Sequence, residues 1–483
     1  MTITVSGGSG SFDARLDELV AESHALRSAG AVMRDLAGDT ARASLNGSVV
    51  ASGLLCPAEL LAAEGAIATA SASLLAGGVA LEVGGALVEA AVTTYRAADE
   101  FGKELFDSLY AVGGMALGAG AVVGTLAYAL THPTELALLV SNRDALLAKV
   151  QESLFANPWL MEGLSRVAPG MIQGALFTGS SLLGGLLGGP MGALGLNVAL
   201  LWGAGGHWPT TDYESAVAGL VALGQKFGYF NDTSDWPVSR VEIPPDARSP
   251  RGLEDIFNQQ SSLGRDGSEG QIQIVQIKDA EGHSRWVVQI PGTQDWDPTR
   301  TTNPVDLTSN VHLMTQEQQT ALQRQVAKAM DAAGIKPGEP VMLTGHSQGG
   351  IAAATFAADP AFRERFNVTS VVTGGSPIAR IPIPDSITVM SVEHTQDPVP
   401  MLDGRDNPAR DNWITVKAEA DPDAIRAATQ QAPIPGDAHD TTRYAETGRL
   451  IDQSTDPAVV DFRTANSQFL DGTGTVTRWK ING

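Results

Sequence analysis

Cysteine, basic side chains and a conventional export signal are scarce or missing in this chain of 483 residues. Its single cysteine, Cys56, excludes a disulfide within the chain, and a lone thiol among apolar neighbours is typical of a small buried hydrophobe. Lys and Arg number 32 against 54 Asp and Glu, a net charge of −22, with no basic cluster to offset it. Because such a chain repels phosphate groups, we expect no nucleic-acid partner.

Patterns for metal and cofactor binding are missing too. The eight histidines are scattered, and no His, Asp or Glu set has ligand spacing, so we expect no metal. No glycine-rich loop leads into a Lys-Ser or Lys-Thr pair, which argues against nucleotide use, and we expect no cofactor. The first ten residues contain neither the basic n-region nor the apolar h-region of a Sec signal peptide. Export would therefore require another route.

The length predicts more than one domain, because single cores usually stop growing near roughly 250 to 300 residues. Composition divides the chain into four parts: a helical hairpin over 1–107, a Gly/Ala-rich apolar helical segment over 108–211, a connector over 212–249 and an α/β catalytic domain over 250–483.

The first part carries apolar side chains at helical spacing, broken around Asn46, Gly47 and Pro57, which predicts two helices in an αα hairpin. Near the end of its second arm, Tyr95 and Asp99 stand four residues apart. This arrangement resembles the ESX-like, Trp-x-Gly helical hairpins of actinobacterial type VII secretion substrates, in which a Tyr-x-x-x-Asp/Glu signal follows the second helix. The chain departs from that family because no Trp-x-Gly stands at the turn.

The resemblance implies that Tyr95 and Asp99 form a secretion signal, that the protein is secreted or sits in the cell envelope, and that an ESX-type helical partner or chaperone binds it. The alternative is an ordinary exposed polar pair, because residues four apart lie on one helix face in many helices.

The second part contains two stretches without Asp, Glu, Lys or Arg, Ser108 to Thr134 and Val167 to Thr211, with several glycines four apart. Uncharged stretches of this length can cross a bilayer, and G-x-x-x-G spacing lets helices approach closely. We therefore consider membrane contact through residues 108–211. The competing interpretation is a tightly packed Gly/Ala helical layer, favoured by weak hydrophobicity and by Pro169 and Pro190.

From about residue 250, short β-branched runs alternate with helical stretches, which is typical of a mostly parallel sheet covered by helices. Strands are expected over Gln271–Ile277, Arg285–Ile290, Glu339–Thr344, Val368–Thr373, Ser386–Val392 and Trp413–Val416. A capping box over Thr315–Gln318 predicts the start of a helix that ends at Ala333.

The most informative motif is Gly345-His346-Ser347-Gln348-Gly349, between an expected strand and an Ala-rich helix. G-x-S-x-G at a strand-to-helix turn is the nucleophile elbow of an α/β-hydrolase, in which glycines leave room for a strained serine. The motif predicts an α/β-hydrolase domain with Ser347 as nucleophile.

A serine nucleophile needs a base and an acid that orients the base, and in this fold they follow in the order Ser, Asp or Glu, His. His439 lies in a polar loop after the last expected parallel strand, so we assign it as general base. Asp397 follows a strand end and precedes Pro398 and Pro400, which stiffen its loop, so we assign it as the orienting acid.

The oxyanion formed during acyl transfer needs preorganised donors. The backbone N–H of Gln348, the residue after the nucleophile, is the first candidate. Thr293 is the second, through its backbone N–H and hydroxyl, because it follows the Arg285–Ile290 strand beside Gly292.

These motifs together resemble class 3 lipases and related actinobacterial α/β-hydrolases. The matching stretches are Val287 to Trp296, Gly345 to Gly350, Gly375-Ser376-Pro377, Asp397-Pro398-Val399-Pro400, and His439 with Tyr444. The resemblance implies esterase or lipase activity with Ser347, Asp397 and His439 as the triad. Two positions depart from the family, Gln348 where Leu is usual and Pro291 where Arg is usual.

Three functions are consistent with the sequence. The first is a serine hydrolase of lipid or phospholipid acyl esters, exported by a type VII route. The second is a secreted carboxylesterase for small soluble esters, and the third is a non-catalytic, membrane-interacting secretion partner with a relict hydrolase domain.

Overall fold

The computed structural model describes residues 2–8, 12–43, 46, 56–131, 143–232, 235–265, 267–299, 302–316 and 319–482. Contacts divide the chain into two units. The smaller is Phe12–Leu105, and the larger combines Met1–Ser11 with Phe106–Gly483.

The helices are α1 (Phe12–Ala43), α2 (Pro57–Thr131), α3 (Arg143–Ala156), α4 (Pro158–Gly203), α5 (Tyr213–Lys226), α6 (Leu253–Leu263), α7 (Leu307–Thr315), α8 (Ala321–Ala333), α9 (Gln348–Ala358), α10 (Pro360–Arg365), α11 (Pro422–Thr429), α12 (Pro435–Ala438), α13 (Thr441–Asp452) and α14 (Pro457–Ala465). The strands are β1 (Ile3–Gly7), β2 (Ser239–Val241), β3 (Gln271–Lys278), β4 (Ser284–Ile290), β5 (Pro340–His346), β6 (Asn367–Gly374), β7 (Thr388–His394), β8 (Trp413–Ala418) and β9 (Thr475–Lys480).

These strands form one sheet in the order β1-β8-β7-β6-β5-β4-β3-β9-β2. Strands β4 to β8 run parallel, whereas the outer pairs are antiparallel. Both faces of the sheet are covered by apolar cores. Consecutive side chains of a strand point to opposite faces, so Met342 and Leu343 of β5 enter different buried cores. The prediction of a mixed α/β region preceded by helices is confirmed.

The smaller unit consists of α1 packed antiparallel against the first part of α2. Gly30 and Gly78 face each other so closely that a Cβ on either would lie within 2.7 Å of the opposite carbonyl oxygen. Ion pairs Arg27–Glu89 at 2.7 Å and Arg34–Glu82 at 2.6 Å join the helices along the same face. Of the expected break between the helices, Gly47 lies outside the described residues, whereas the Asn46 backbone N–H donates to the Ala43 carbonyl at 3.2 Å.

The predicted secretion signal lies on α2. Tyr95 is half exposed at 49%. Asp99 belongs to the same helix, but its side chain lies outside the described residues.

The N-terminal boundary of the predicted hairpin, 1–107, differs from the structure. Residues Ile3–Gly7 form β1, which pairs antiparallel with Ile414–Ala418 of β8. The local reason is the β-branched alternation Ile3-Thr4-Val5, which suits an edge strand. The helical unit Phe12–Leu105 is therefore an insertion between the first strand and the rest of the larger unit.

The predicted connector over 212–249 is also corrected, because it contains a helix and a strand. Asp212 caps α5 by accepting the Ser215 backbone N–H at 2.8 Å, and Val221 on that helix is buried. Strand β2 extends the sheet beyond β9. Pro237, Pro244 and Pro245, which are typical of a linker, lie on either side of β2.

Two local predictions are corrected as well. Thr315 ends α7 instead of starting a helix, and the capping box is formed by Thr320 and Gln323 at the start of α8. Both sites carry Thr with Gln three residues later, so the sequence pattern alone did not separate them. Cys56 is exposed rather than buried, because it immediately precedes the first residue of α2.

The Gly/Ala-rich segment packs as closely apposed helices. A Cβ on Gly118 of α2 would lie 2.0 Å from the Met171 carbonyl oxygen, and one on Gly174 of α4 would lie 2.0 Å from that of Met115. The glycine spacing therefore serves a close helix–helix contact. Among the described residues, two stretches, Leu60–Arg96 and Pro158–Gly203, are long and apolar enough to cross a membrane by length and composition.

Candidate active site

Ser347 occupies a strained turn between β5 and α9. Its φ of 54° and ψ of −125° lie in a region that side chains other than glycine rarely adopt. The turn leaves no room beside it, because a Cβ on Gly349 would lie 2.1 Å from the Ile290 carbonyl oxygen. The Ser347 backbone N–H donates to the Gly374 carbonyl at 2.9 Å. This geometry is the one expected of a serine held on a nucleophile elbow.

His439 and Asp397 are hydrogen-bonded partners. The His439 Nδ1 lies 2.7 Å from Asp397 Oδ2, and Asp397 is fully buried. The other carboxylate oxygen, Oδ1, accepts the Val399 backbone N–H at 2.8 Å. With Nδ1 directed at the carboxylate, Nε2 of the imidazole is left to accept a proton.

The three predicted triad residues lie at one edge of the sheet. Gly375 lies close to all three residues. It follows Gly374, whose carbonyl accepts the Ser347 N–H, and a Cβ on Gly375 would lie 3.0 Å from both Asp397 Oδ2 and His439 Nδ1. Among the described residues, the Ser347 hydroxyl makes no hydrogen bond to His439. In hydrolases without substrate such bonds are often long and shorten in the substrate complex.

Tyr444 is a member of this site that sequence reasoning reached only through a family resemblance. Its phenolic oxygen donates to Asp397 Oδ2 at 2.6 Å. Burial, and then the charge of Asp397, raise the pKa of Tyr444 well above its ordinary value. The phenol therefore stays protonated and remains a donor to the carboxylate.

His394 holds the segment that carries His439. Its Nδ1 lies 2.7 Å from the Ala438 carbonyl, and its Nε2 lies 2.8 Å from the Thr447 hydroxyl. The ring stacks on Tyr444 with centroids 4.1 Å apart. Burial lowers the pKa of His394, so a neutral ring donates from Nδ1 and accepts from Thr447 at Nε2.

His346 lies against His439. Its ring centroid is 4.5 Å from that of His439. Burial, and then the nearby His439, lower its pKa well below the ordinary value. A neutral His346 avoids placing a second positive charge beside a protonated His439. No local sequence pattern signals this contact, because the two residues are far apart along the chain.

The two predicted oxyanion donors lie on either side of the nucleophile. The backbone N–H of Gln348 starts α9 and has no acceptor within the helix. On the other side, a Cβ on Gly292 would lie 3.2 Å from Ser347 Cβ, so the loop carrying Thr293 runs beside the serine. Thr293 Oγ1 accepts from Asn310 Nδ2 at 2.7 Å, which leaves its own hydrogen available to donate.

The Gln348 side chain crosses to another loop. Its Nε2 donates to the Asp306 carbonyl at 2.7 Å, and the side chain is fully buried. Asp306 caps α7, the helix that carries Asn310. This hydrogen bond therefore links the turn at Ser347 to the helix whose Asn310 donates to Thr293.

Comparison with protein-family models, with curated proteins and with solved structures finds no match to this chain.

Proposed function

We propose that the protein is a serine hydrolase of carboxylic esters, built on an α/β-hydrolase fold, with Ser347 as nucleophile, His439 as base and Asp397 as its orienting acid. The observation that carries the proposal is the backbone of Ser347, φ 54° and ψ −125° at the end of a central parallel strand, beside a histidine–carboxylate pair at 2.7 Å. Strain at a polar residue in a sheet-edge turn is typical of a functional site.

In this mechanism Ser347 Oγ attacks the ester carbonyl carbon while its proton passes to Nε2 of His439. Asp397 stabilises the resulting imidazolium through Nδ1. The N–H groups of Gln348 and Thr293 bind the oxyanion. The tetrahedral intermediate then expels the alcohol, which takes the proton from Nε2. Water hydrolyses the acyl-enzyme by the same proton path and releases the acid.

The test is covalent labelling together with turnover. Wild type is expected to react with a fluorophosphonate probe and to hydrolyse nitrophenyl esters, whereas Ser347→Ala should lose both, with turnover falling by about 10⁶. Ser467→Ala is the matched control, because that serine is exposed on a 3-10 turn at Ser467–Phe469. Equal labelling of wild type and Ser347→Ala would contradict the proposal and favour a relict domain.

For the substrate we propose lipid or phospholipid acyl esters rather than small soluble esters. The support is the uncharged helical segment with its exposed leucines, Leu186 at 85% and Leu187 at 77%. Activity should rise with acyl length and on presentation of the ester in micelles. Activity confined to acetate and butyrate esters, without micelle activation, would favour a small-ester carboxylesterase.

We further propose export by a type VII route, with a helical partner or chaperone bound to the smaller unit. The support is the antiparallel helix pair with Tyr95 exposed on its second helix. In a host that has such a pathway, Tyr95→Ala should lower the secreted fraction, whereas Leu87→Ala, exposed at 65% on the same helix, should not. Equal secretion of both variants would leave Tyr95 as an ordinary surface residue.

A further inference from the structure

Helix α4 is bent back on itself. Gly188 and Gly189 have non-helical backbone angles, with φ of 60° at Gly189, and Pro190 starts the returning arm. The arms cross where Gly184 meets Gly192, since a Cβ on Gly184 would lie 2.3 Å from the Gly192 carbonyl oxygen. Residues 177–203 therefore form a closed pair of arms, which we name the glycine hairpin.

The tip of the glycine hairpin is apolar and uncovered. Leu186, Leu187 and Met191 are exposed by 85%, 77% and 75%. Along the returning arm, exposed apolar side chains recur at helical spacing on one face, at Leu194, Val198 and Trp202. No Asp, Glu, Lys or Arg occurs from Val167 to Thr211, so no charge interrupts this surface.

The polar side chains in the middle of the hairpin bond to each other. Asn197 Nδ2 donates to Ser181 Oγ at 2.7 Å, and Asn197 Oδ1 accepts from Ser180 Oγ at 2.8 Å, across the two arms. Asn197 Nδ2 also donates to the Ala193 carbonyl at 3.0 Å. Internal pairing of this kind is what a hydrocarbon environment requires, because water is absent there to satisfy polar groups.

The base of the hairpin has the residues that favour a membrane interface. Trp202 is 84% exposed, and the Lys226 ammonium lies 5.9 Å from its ring centroid. Tryptophan and lysine are enriched where a membrane meets water. Thirteen residues separate Gly189 from Trp202, about 20 Å of helix at 1.5 Å per residue. An arm of that length reaches past the middle of a hydrocarbon core of roughly 30 Å but does not reach its far side.

We propose that the glycine hairpin inserts tip first into a lipid bilayer from one side without crossing it, up to the level of Trp202 and Lys226. The chain carries a net charge of −22, so attraction to anionic lipid cannot hold it, and insertion depends on apolar contact. Binding is therefore expected on zwitterionic vesicles, with little loss at high salt, and weaker on anionic vesicles at low salt. It does not depend on hydrolysis, so Ser347→Ala should bind as wild type does.

Flotation of the full chain with phosphatidylcholine vesicles tests this directly. Leu186→Asp places a charge at the tip, and its partition should weaken on the order of 100-fold. Ile243→Asp is the control, because Ile243 is 36% exposed in the segment after β2, outside the hairpin, and it should float like wild type. Failure of wild type to float, or equal flotation of Leu186→Asp, would overturn the proposal.

A second measurement reports depth and separates lipid from a second copy of the chain. An environment-sensitive NBD label on Leu187→Cys, in a Cys56→Ser background, should shift to the blue and be quenched by lipids brominated near the acyl-chain ends. Sedimentation velocity without lipid should give the same mass for wild type and Leu186→Asp. A wild-type dimer that Leu186→Asp converts to monomer, with no quenching by lipid, would make the hairpin a self-association surface and refute insertion.

Discussion

Tyr444 donates to Asp397 at 2.6 Å, on the same carboxylate oxygen that faces the His439 ring. The buried carboxylate thus has three hydrogen-bonded neighbours, the third being the Val399 backbone N–H at 2.8 Å. Each donor stabilises the negative charge that in turn stabilises a protonated His439. In the proposed mechanism Tyr444 therefore acts as a positioning residue for the orienting acid.

Removing that phenol should reduce turnover without abolishing it. For Tyr444→Phe we expect kcat to fall on the order of tenfold with KM unchanged, because the carboxylate keeps two of its donors. Tyr229→Phe, at an exposed tyrosine elsewhere, is the control. An unchanged kcat, or an effect confined to KM, would reduce Tyr444 to a packing role.

Replacing the acid itself should have a much larger effect. Asp397→Asn presents an amide hydrogen to His439 Nδ1 and favours the wrong tautomer, so kcat should fall by about 10⁴ while the fold is retained. Nitrophenyl ester kinetics and circular dichroism measure the two outcomes. Asp385→Asn, at a carboxylate with an 84% exposed side chain, should leave kcat unchanged. Activity that survives Asp397→Asn but disappears in a Glu393 or Asp403 variant would reassign the acid.

The elbow glycines should be indispensable for stability. A Cβ on Gly349 would lie 2.1 Å from the Ile290 carbonyl oxygen, a backbone atom that cannot move aside. Gly349→Ala should therefore lower the free energy of unfolding by more than about 4 kcal/mol or prevent folding. Gly163→Ala, where no atom lies within 4 Å in a helix, should be neutral or stabilising by up to about 1 kcal/mol. Urea unfolding compares the two.

The free energy of unfolding should decrease as the pH rises, because the carboxyl group of Glu393 is largely buried. Burial raises the pKa of Glu393 from 4.5 to about 7, so the folded state holds a proton that the unfolded state releases. This contribution is complete below pH 4.5 and is lost as the pH rises through about 7. Glu393→Gln should remove up to about 3 kcal/mol of that decline, measured by urea unfolding at pH 5, 7 and 9. A slope equal to that of wild type would show that Glu393 does not hold the proton.

Local chemistry accounts for most of what the sequence predicted. Strands β3 to β8 were expected within a few residues of their bounds, because each is a short β-branched run bounded by turn residues. Ser347, Asp397 and His439 are predicted as site residues because each stands beside an element end with glycine or proline, and the structure brings the three to one edge of the sheet.

Non-local contacts account for the rest. The pairing of β1 with β8 and the ring contact between His346 and His439 join residues with no shared local pattern. The bend at Gly188 and Gly189 could not be predicted, because in this segment a helix bend and a helix interior have the same Gly/Ala composition. Pro169 and Pro190 already set the second uncharged stretch apart in the sequence, but the exposure of Leu186 and Leu187 beside its bend follows only from the structure.

The first strand places a constraint on biosynthesis. Thr4 of β1 and its partner Lys417 of β8 are 413 residues apart. At about 5 to 20 residues per second, a ribosome needs roughly 20 to 80 s to make the chain between them. During that interval β1 has no edge to join. Closure of this sheet edge therefore waits until β8 has been made, and a nascent chain interrupted before β8 retains an unpaired first strand.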